Sequence, residues 1–317
     1  MIEIKKGYEI KTPEEYNLLI YACPSFGKTT LASTASSPLL LDLDGGVHRV
    51  SGSLRPDTLV PQSYEDILEL VESSALDGYK TIVIDTFGKF LSFMDSYIAN
   101  QHSGYKKTDG ELSLQGYGAR KKAFMKLLQR MIEKRKNLIF LAHDVEEKDV
   151  DGNITIRPLA SGSSTADLMS CMDLVAYGEL KGNTRILNFT PTDKFHTKNY
   201  LKLPDQIIVP DEKDLKDFLK NTIETEIYAR RKAEAALVAE KTGEWQEWEQ
   251  KIRYNFAHLN RPVDWNKEMF AEAKKMKNNK QFAALVFKIA KEEAEKEGVV
   301  WNAEKRSFET PIKEETK

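Results

Sequence analysis

The segment Leu18-Leu19-Ile20-Tyr21, running into Ala22-Cys23-Pro24-Ser25-Phe26-Gly27-Lys28-Thr29-Thr30 and then Leu31-Ala32-Ser33, constrains this chain more than any other. An apolar run of strand type, a loop ending in Gly-Lys-Thr and a helix-forming run make the unit in which loop N–H groups converge and cradle phosphate oxygens. Such a loop has to stand at the end of a buried strand, which asks for a layered α/β fold. One position departs from the pattern Gly-x-x-x-x-Gly-Lys-Ser/Thr: Ala22 stands at the first glycine. If that position needed φ > 0, alanine would cost about 1 kcal/mol. If it closes the strand in the β region the cost is small, and that is the expectation.

The chemistry expected of the loop follows from its residue types. Cys23, Pro24, Ser25, Phe26, Gly27, Lys28, Thr29 and Thr30 form the nucleotide cradle, with Lys28 reaching the β/γ-phosphates and the Thr29 hydroxyl a ligand for Mg²⁺. A β-branched run, Thr81-Ile82-Val83-Ile84-Asp85, ends in a carboxylate that would complete the metal site of an ATP·Mg²⁺ complex. Alone such an ending is common; paired with Lys28-Thr29 it is specific. Leu39-Leu40-Leu41-Asp42-Leu43-Asp44-Gly45-Gly46 brings another carboxylate to a strand end. Asp44 is the candidate to orient an attacking water, Asp42 is its competitor by alternation, and a plain Asp-Gly-Gly turn is the bland alternative. His143, in Ala142-His143-Asp144, is placed where a γ-phosphate sensor would sit, and equally suits a satisfied buried histidine.

Around these motifs, strands are expected at 17–22, 38–43, 81–85, 138–143, 173–177 and 185–189, with helices between them and a hairpin excursion about Asp151-Gly152. A helix over 117–136 carries Phe124, Leu127, Leu128 and Met131 at i, i+3, i+4, i+7. From about Ile223 the pattern becomes continuously helical, with stripes through Trp245, Trp248, Ile252 and Phe256, then Trp265, Met269, Ala273 and Met276, then Phe282, Leu285, Val286 and Ile289, and a break at Arg261-Pro262. The expectation is a mostly parallel α/β core over 1–220, a small all-helical domain over 221–301 and a charged, frayed tail over 302–317.

Composition excludes several classes. No apolar run approaches the roughly 20 residues of a spanning helix, and the first residues lack a signal-peptide pattern, so a mature chain starting near Met1 in a cytoplasm is expected, with no membrane partner. Cys23 and Cys171 stand far apart and only five histidines are present, which argues against structural zinc and for a reducing compartment. With 47 basic and 49 acidic residues, nucleic-acid contact has to come from local patches. Lys122, Lys126, Arg130 and Lys134 recur at spacing four, with Arg120, Lys121, Arg135 and Lys136 nearby and Glu133 alone opposing them, which suits a phosphate-tracking stripe or a solvated outer face. The segment 102–110 offers Tyr105 for base stacking and Lys106 and Lys107 for phosphates if it is a mobile loop, and is otherwise a plain surface loop. Between Lys251 and Lys291 ten basic residues face three acidic ones, a second possible strand-contacting surface whose tryptophans also suit a helical core.

The succession IYACPSFGKTTLA, LLLDLDGG, TIVIDTF, LIFLAHDVEEK, DLVAYGEL and TPTDKFHTKNYLKLP, over about residues 15–210, resembles phage-encoded ATP-binding proteins of the AAA type with a RecA-like core, a group that includes single-strand annealing recombinases. The resemblance implies a RecA-like P-loop ATPase of a host bacterial cytoplasm, stimulated by single-stranded DNA, assembling head to tail in a ring or filament and working beside a single-strand-binding or replication protein. It also implies that a cation near the end of the motif series reaches the neighbouring subunit's γ-phosphate. Lys198 is the matching residue, with Asn199-Tyr200 where the family shows Asp-Arg, and Asp44 is shorter than RecA's glutamate. Three other classes fit the same loop: an assembly clamped by ATP with little hydrolysis, a P-loop phosphotransferase, and an adaptor whose C-terminal helices dock a partner.

Overall fold

The run Asn17–Ala22 forms strand β1, buried from Leu18 onward, because its two alternating side-chain sets both meet apolar layers. The computed structural model describes residues 5, 7, 10–148, 150, 152–159, 164–257, 259, 262–275 and 280–310. Asp151, Arg261, Met276, the chain start at Met1 and the tail from Pro311 onward lie outside the described residues. After β1 come α1 (Lys28–Ala32), β2 (Pro38–Asp42), β3 (Asp57–Leu59), α2 (Tyr64–Glu72), β4 (Thr81–Asp85), α3 (Phe87–Gln101), α4 (Leu114–Glu133), β5 (Asn137–Lys148), β6 (Ile154–Pro158), α5 (Ser164–Cys171), β7 (Leu174–Lys181), β8 (Thr184–Asn188), β9 (Lys198–Asn199) and β10 (Gln206–Val209). The main sheet runs β10-β8-β7-β1-β5-β4-β2-β3, parallel from β7 to β3, with β8 and β10 antiparallel at one edge. This is the expected mixed α/β core.

Period-two alternation sorts the strands onto two faces. Leu19, Leu41, Ile84 and Phe140 point to the layer holding α2, α3 and α4. Ile20, Leu40, Val83 and Leu141 point to the layer holding α1. That second layer is closed by Leu215, Leu219, Ile223 and Ile227, a stripe at spacing four. The chain divides into one compact unit over Thr12–Arg230 and a second that holds Arg231–Lys317 with Met1–Lys11. The division therefore falls ten residues beyond the expected 220, because the apolar stripe through Ile223 and Ile227 belongs to the first unit's core.

Several expected boundaries shift for local reasons. Strand β2 stops at Asp42, before Leu43, because the Asp42 carboxylate turns back to accept from the N–H groups of Gly46 and Val47. Helix α4 starts at Leu114, where the Ser113 hydroxyl caps Gly116 N–H, and ends at Glu133 because Lys134 caps it and Arg135 takes a positive φ of 53°. Strand β5 runs on past His143 to pair antiparallel with β6, the expected hairpin.

In the second unit, α6 (Thr225–Phe256) continues past the division, followed by α7 (Pro262–Lys274) and α8 (Lys280–Lys296). The expectation of an all-helical domain with a frayed tail from 302 is corrected here: β11 (Val300–Asn302) and β12 (Ser307–Glu309) form a hairpin. Phe308 lies 2% exposed against Trp265 and Trp301, and burying that ring outweighs the charges around it. The basic excess between Lys251 and Lys291 is also reduced, since Arg253 is held by Glu249, Glu292 and Glu293 and Lys275 by Glu272.

Candidate functional site

Strand register builds the site. Ala22 pairs with His143, Asp42 with Asp85, and Asp85 with Leu141, so the carboxyl ends of β1, β5, β4 and β2 come level at one edge of the sheet. By parity, Ala22, Asp42, Asp85 and His143 follow the face that carries α1. A cavity of about 300 Å³ opens there, lined by Lys28, Thr29, Asp44, Arg49, Asp85 and His143. Pro24, Ser25, Gly27 and Thr30 complete its loop wall.

Ser25 and Gly27 sit at φ 69° and 88°, left-handed conformations of the kind that build a concave run of backbone N–H groups. Gly27 has a second reason to lack a side chain, because a Cβ there would stand 3.0 Å from the Arg185 guanidinium on β8. Ala22 is the last residue of β1 and has no positive φ, so the missing first glycine costs the loop nothing in backbone strain. Helix α1 spans only five residues, so Lys28, rather than a long helix dipole, supplies the positive charge at this wall of the cavity. Cys23 and Phe26 contribute differently from their neighbours: the Cys23 carbonyl accepts from Lys28, and the Phe26 ring is buried beneath the loop.

Lys28 Nζ donates to the carbonyls of Ala22 at 2.8 Å and Cys23 at 3.0 Å. Burial pulls its pKa down, opposed by Asp85, Asp144, Cys23 and Asp44. The Thr29 hydroxyl donates to Asp85 Oδ2 at 2.6 Å. Burial pushes the Asp85 pKa up, the charges of Asp42 and Asp44 add to the rise, and the Thr29 hydrogen bond and Lys28 oppose it. A hydroxyl and a buried carboxylate in contact, beside a lysine, form the donor set that suits an octahedral divalent cation on a phosphate chain, so the residues fit Mg²⁺ with ATP.

The two aspartates after β2 separate in role. Asp42 is buried and spends both carboxylate oxygens on Gly46 N–H, at 2.9 Å, and Val47 N–H, at 3.0 Å. Asp44 lines the cavity. His143 is not a satisfied core histidine: it lines the cavity and its Nδ1 is enclosed with no hydrogen-bond partner among the described residues. Arg49 and Thr86 line the same cavity and were missed in the sequence. The signal for Arg49 was its place in the turn just after the second strand, on the ligand side of a parallel sheet.

The remaining candidates lie elsewhere. Lys198, on β9, pairs with Val175 near the start of β7, level with Leu19 rather than with the loop, and its Nζ donates to the Met172 carbonyl. The segment carrying Tyr105, Lys106 and Lys107 is not a loose loop: Lys106 bridges Leu112, Lys107 N–H bonds Glu111, Ser113 N–H bonds the Tyr105 carbonyl, and Leu112 is buried beneath. The stripe on α4 is also corrected. Arg120 is 3% exposed, bonded to Asp95 and Ser164, while Lys121 pairs with Asp167 and Arg130 with Glu72, so carboxylates from α2, α3 and α5 oppose a stripe that Glu133 alone seemed to face. Lys122 and Lys126 are exposed.

Residues 14–201 match the family described as AAA domain, a span that holds the loop, Asp44, Asp85, His143 and Lys198. Among curated proteins no match was found. Among solved structures, the chain is similar to an ATPase domain at 13% identity and a TM-score of 0.35, over 56% of this chain and 77% of that one. It is also similar to a KaiC-like protein, PH0186, of the hyperthermophilic archaeon Pyrococcus horikoshii OT3, at 11% identity and a TM-score of 0.37, over 62% of this chain and 89% of that one.

Proposed function

We propose that this chain, which belongs to the family described as AAA domain, binds and hydrolyses ATP and uses the cycle on single-stranded DNA, in recombination, annealing or replication. The observation that carries the nucleotide part is the 2.6 Å hydrogen bond from Thr29 to Asp85 inside the cavity shared with Lys28. The hydroxyl and the carboxylate, already in contact, are the two groups that would hold a divalent cation. Thr29 and Asp85 would hold magnesium, which would supply neutralisation of the negative charge on the triphosphate. Lys28 exchanges the carbonyls of Ala22 and Cys23 for phosphate oxygens, whose negative charge would offset the burial that pulls its pKa down.

Hydrolysis then needs positioning more than covalent help. Asp44 orients a water and accepts its proton; the oxygen adds to the γ-phosphorus, the bond from that phosphorus to the β–γ bridging oxygen breaks, and ADP departs with the electron pair. His143, with an unpartnered Nδ1, hydrogen-bonds the group that forms. Subunits stack head to tail. Lys106, Lys122 and Lys126 meet the DNA backbone.

Lys28→Ala tests the core of this reading. Nucleotide affinity and any turnover should fall at least about 100-fold, roughly the effect of losing a preorganised charge on the reacting phosphate. ATPase rates with and without single-stranded DNA, over a salt series, test the rest: no stimulation and no salt-dependent DNA affinity removes the DNA role while leaving the nucleotide site intact. A second reading, an assembly clamped by ATP with little turnover, is favoured by the exposure of Asp44, a short side chain, as the candidate base. Tightly held, unhydrolysed ATP selects it.

A further inference from the structure

We propose that Arg49 is the second cation of the phosphate cavity, contributed by the same chain, and that it makes the site prefer a nucleoside triphosphate over a diphosphate. The proposal rests on the nucleotide reading above and deepens it. Arg49 ends a short 3-10 turn, Val47–Arg49, between β2 and β3. The turn is fixed at its start by the Asp42 carboxylate on Gly46 and Val47 N–H. It is fixed at its end by Arg55, whose Nη2 donates to the carbonyls of His48 at 3.1 Å and Val50 at 2.9 Å, with the Val50 side chain buried. The backbone that carries Arg49 is therefore held on both sides, and the side chain faces the cavity that Lys28, Asp44 and Asp85 also line.

Among the described residues, no carboxylate lies within salt-bridge distance of Arg49, although Asp44 lines the same cavity. Arg120, Arg130, Arg157, Arg230 and Arg253 each hold one. An arginine facing a cavity without an anion is a guanidinium fork left open for one, and phosphate matches that fork with two parallel hydrogen bonds. Charge balance points the same way. The charged side chains lining the cavity are Lys28 and Arg49 against Asp44 and Asp85. Without Arg49 the wall would be net negative and would repel a polyanion.

Position selects the phosphate. Strand β2 stands three strands from β1 in the sheet, at about 4.8 Å per strand. Arg49 thus approaches from the side remote from the loop, where only the terminal phosphate of a chain anchored on Lys28 extends. Lys28 and the loop grip what ATP and ADP share; Arg49 reads what they do not.

The test is equilibrium binding of a non-hydrolysable ATP analogue and of ADP, each with Mg²⁺, to the full chain and to Arg49→Ala and Arg49→Lys. Arg49→Ala should weaken the triphosphate at least tenfold and leave ADP within twofold, and Arg49→Lys should restore part of the loss, since it keeps charge but not the fork. Thermal melts of the free variants should match the unsubstituted chain, because Arg49 is exposed and outside the Asp42 and Arg55 contacts. Equal weakening of both nucleotides, or of neither, overturns the proposal. If the unsubstituted chain binds neither nucleotide, the site reading itself fails, and that outcome is seen before any variant is compared.

Discussion

Asp85 carries a conflict that its neighbours only partly relieve. Its carboxylate is buried at a strand end with Asp42 and Asp44 nearby, so its pKa stands above the ordinary carboxylate value, with the Thr29 hydroxyl and Lys28 pulling the other way. A raised folded pKa means that the free protein binds this proton more tightly than the unfolded chain does. The associated stability is present below the unfolded pKa of about 3.9 and is lost as pH rises through the folded value. Near neutral pH, therefore, the charge of Asp85 costs the free protein stability. Asp85→Asn should melt no lower than the unsubstituted chain in chelator at pH 7, with any advantage shrinking on acidification, and should lose the Mg²⁺-dependent part of nucleotide affinity. In the unsubstituted chain that part should decline on acidification at a pH above that expected for an ordinary aspartate. A variant that melts clearly lower, or keeps Mg²⁺-dependent binding, would contradict the assignment. Melting curves across pH and calorimetric titrations read both.

The phosphate loop is shaped as much by the element beneath it as by its own residues. Gly178, on β7, pairs with Ala22, and a Cβ there would stand 2.8 Å from both the Ala22 Cβ and the Phe26 ring. That close approach lets the Phe26 ring lie buried under the loop. Gly178→Ala should cost about 1–3 kcal/mol by overpacking, and should weaken nucleotide binding because Phe26 lies between Ser25 and Gly27. Denaturant melts and nucleotide titrations would show it, and a variant with unchanged stability and affinity would mean that the ring moves freely. Helix α4 teaches the complementary lesson. Its apolar stripe, Phe124, Leu127, Leu128 and Met131, was legible in the sequence because a 3.6-residue period needs no knowledge of neighbours. Its charge was not, because the carboxylates of Glu72, Asp95 and Asp167 come from three other elements.

At the scale of the whole molecule, the proposed contact with DNA rests on the exposed cations Lys122 and Lys126 of α4. Lys122→Glu with Lys126→Glu should abolish most salt-dependent affinity for single-stranded DNA and leave ATP binding unchanged. If these two cations carry most of the contact, the slope of log affinity on log salt should be shallow, about −0.7 for each phosphate neutralised. Binding that survives the double reversal would move the DNA surface elsewhere, with the second unit the next place to look. No helix among the described residues is long and apolar enough to cross a membrane. The sequence by itself determined the local units: the loop with Lys28 and Thr29, the strand ending in Asp85, the alternation that makes a two-faced sheet, and the helical run after 223. Each is set by neighbours a few residues away, within reach of a single turn or strand. Only the tertiary structure decided which groups are free. It spent Asp42 on a turn, left Asp44, Arg49 and His143 facing one cavity, tied Arg120 into the protein and Lys198 to the Met172 carbonyl, and drew Phe308 into a core. The reason is physical: whether a charge or a ring is available depends on partners brought together by strand register and packing, and for Arg120, Lys198 and Phe308 those partners lie tens of residues away.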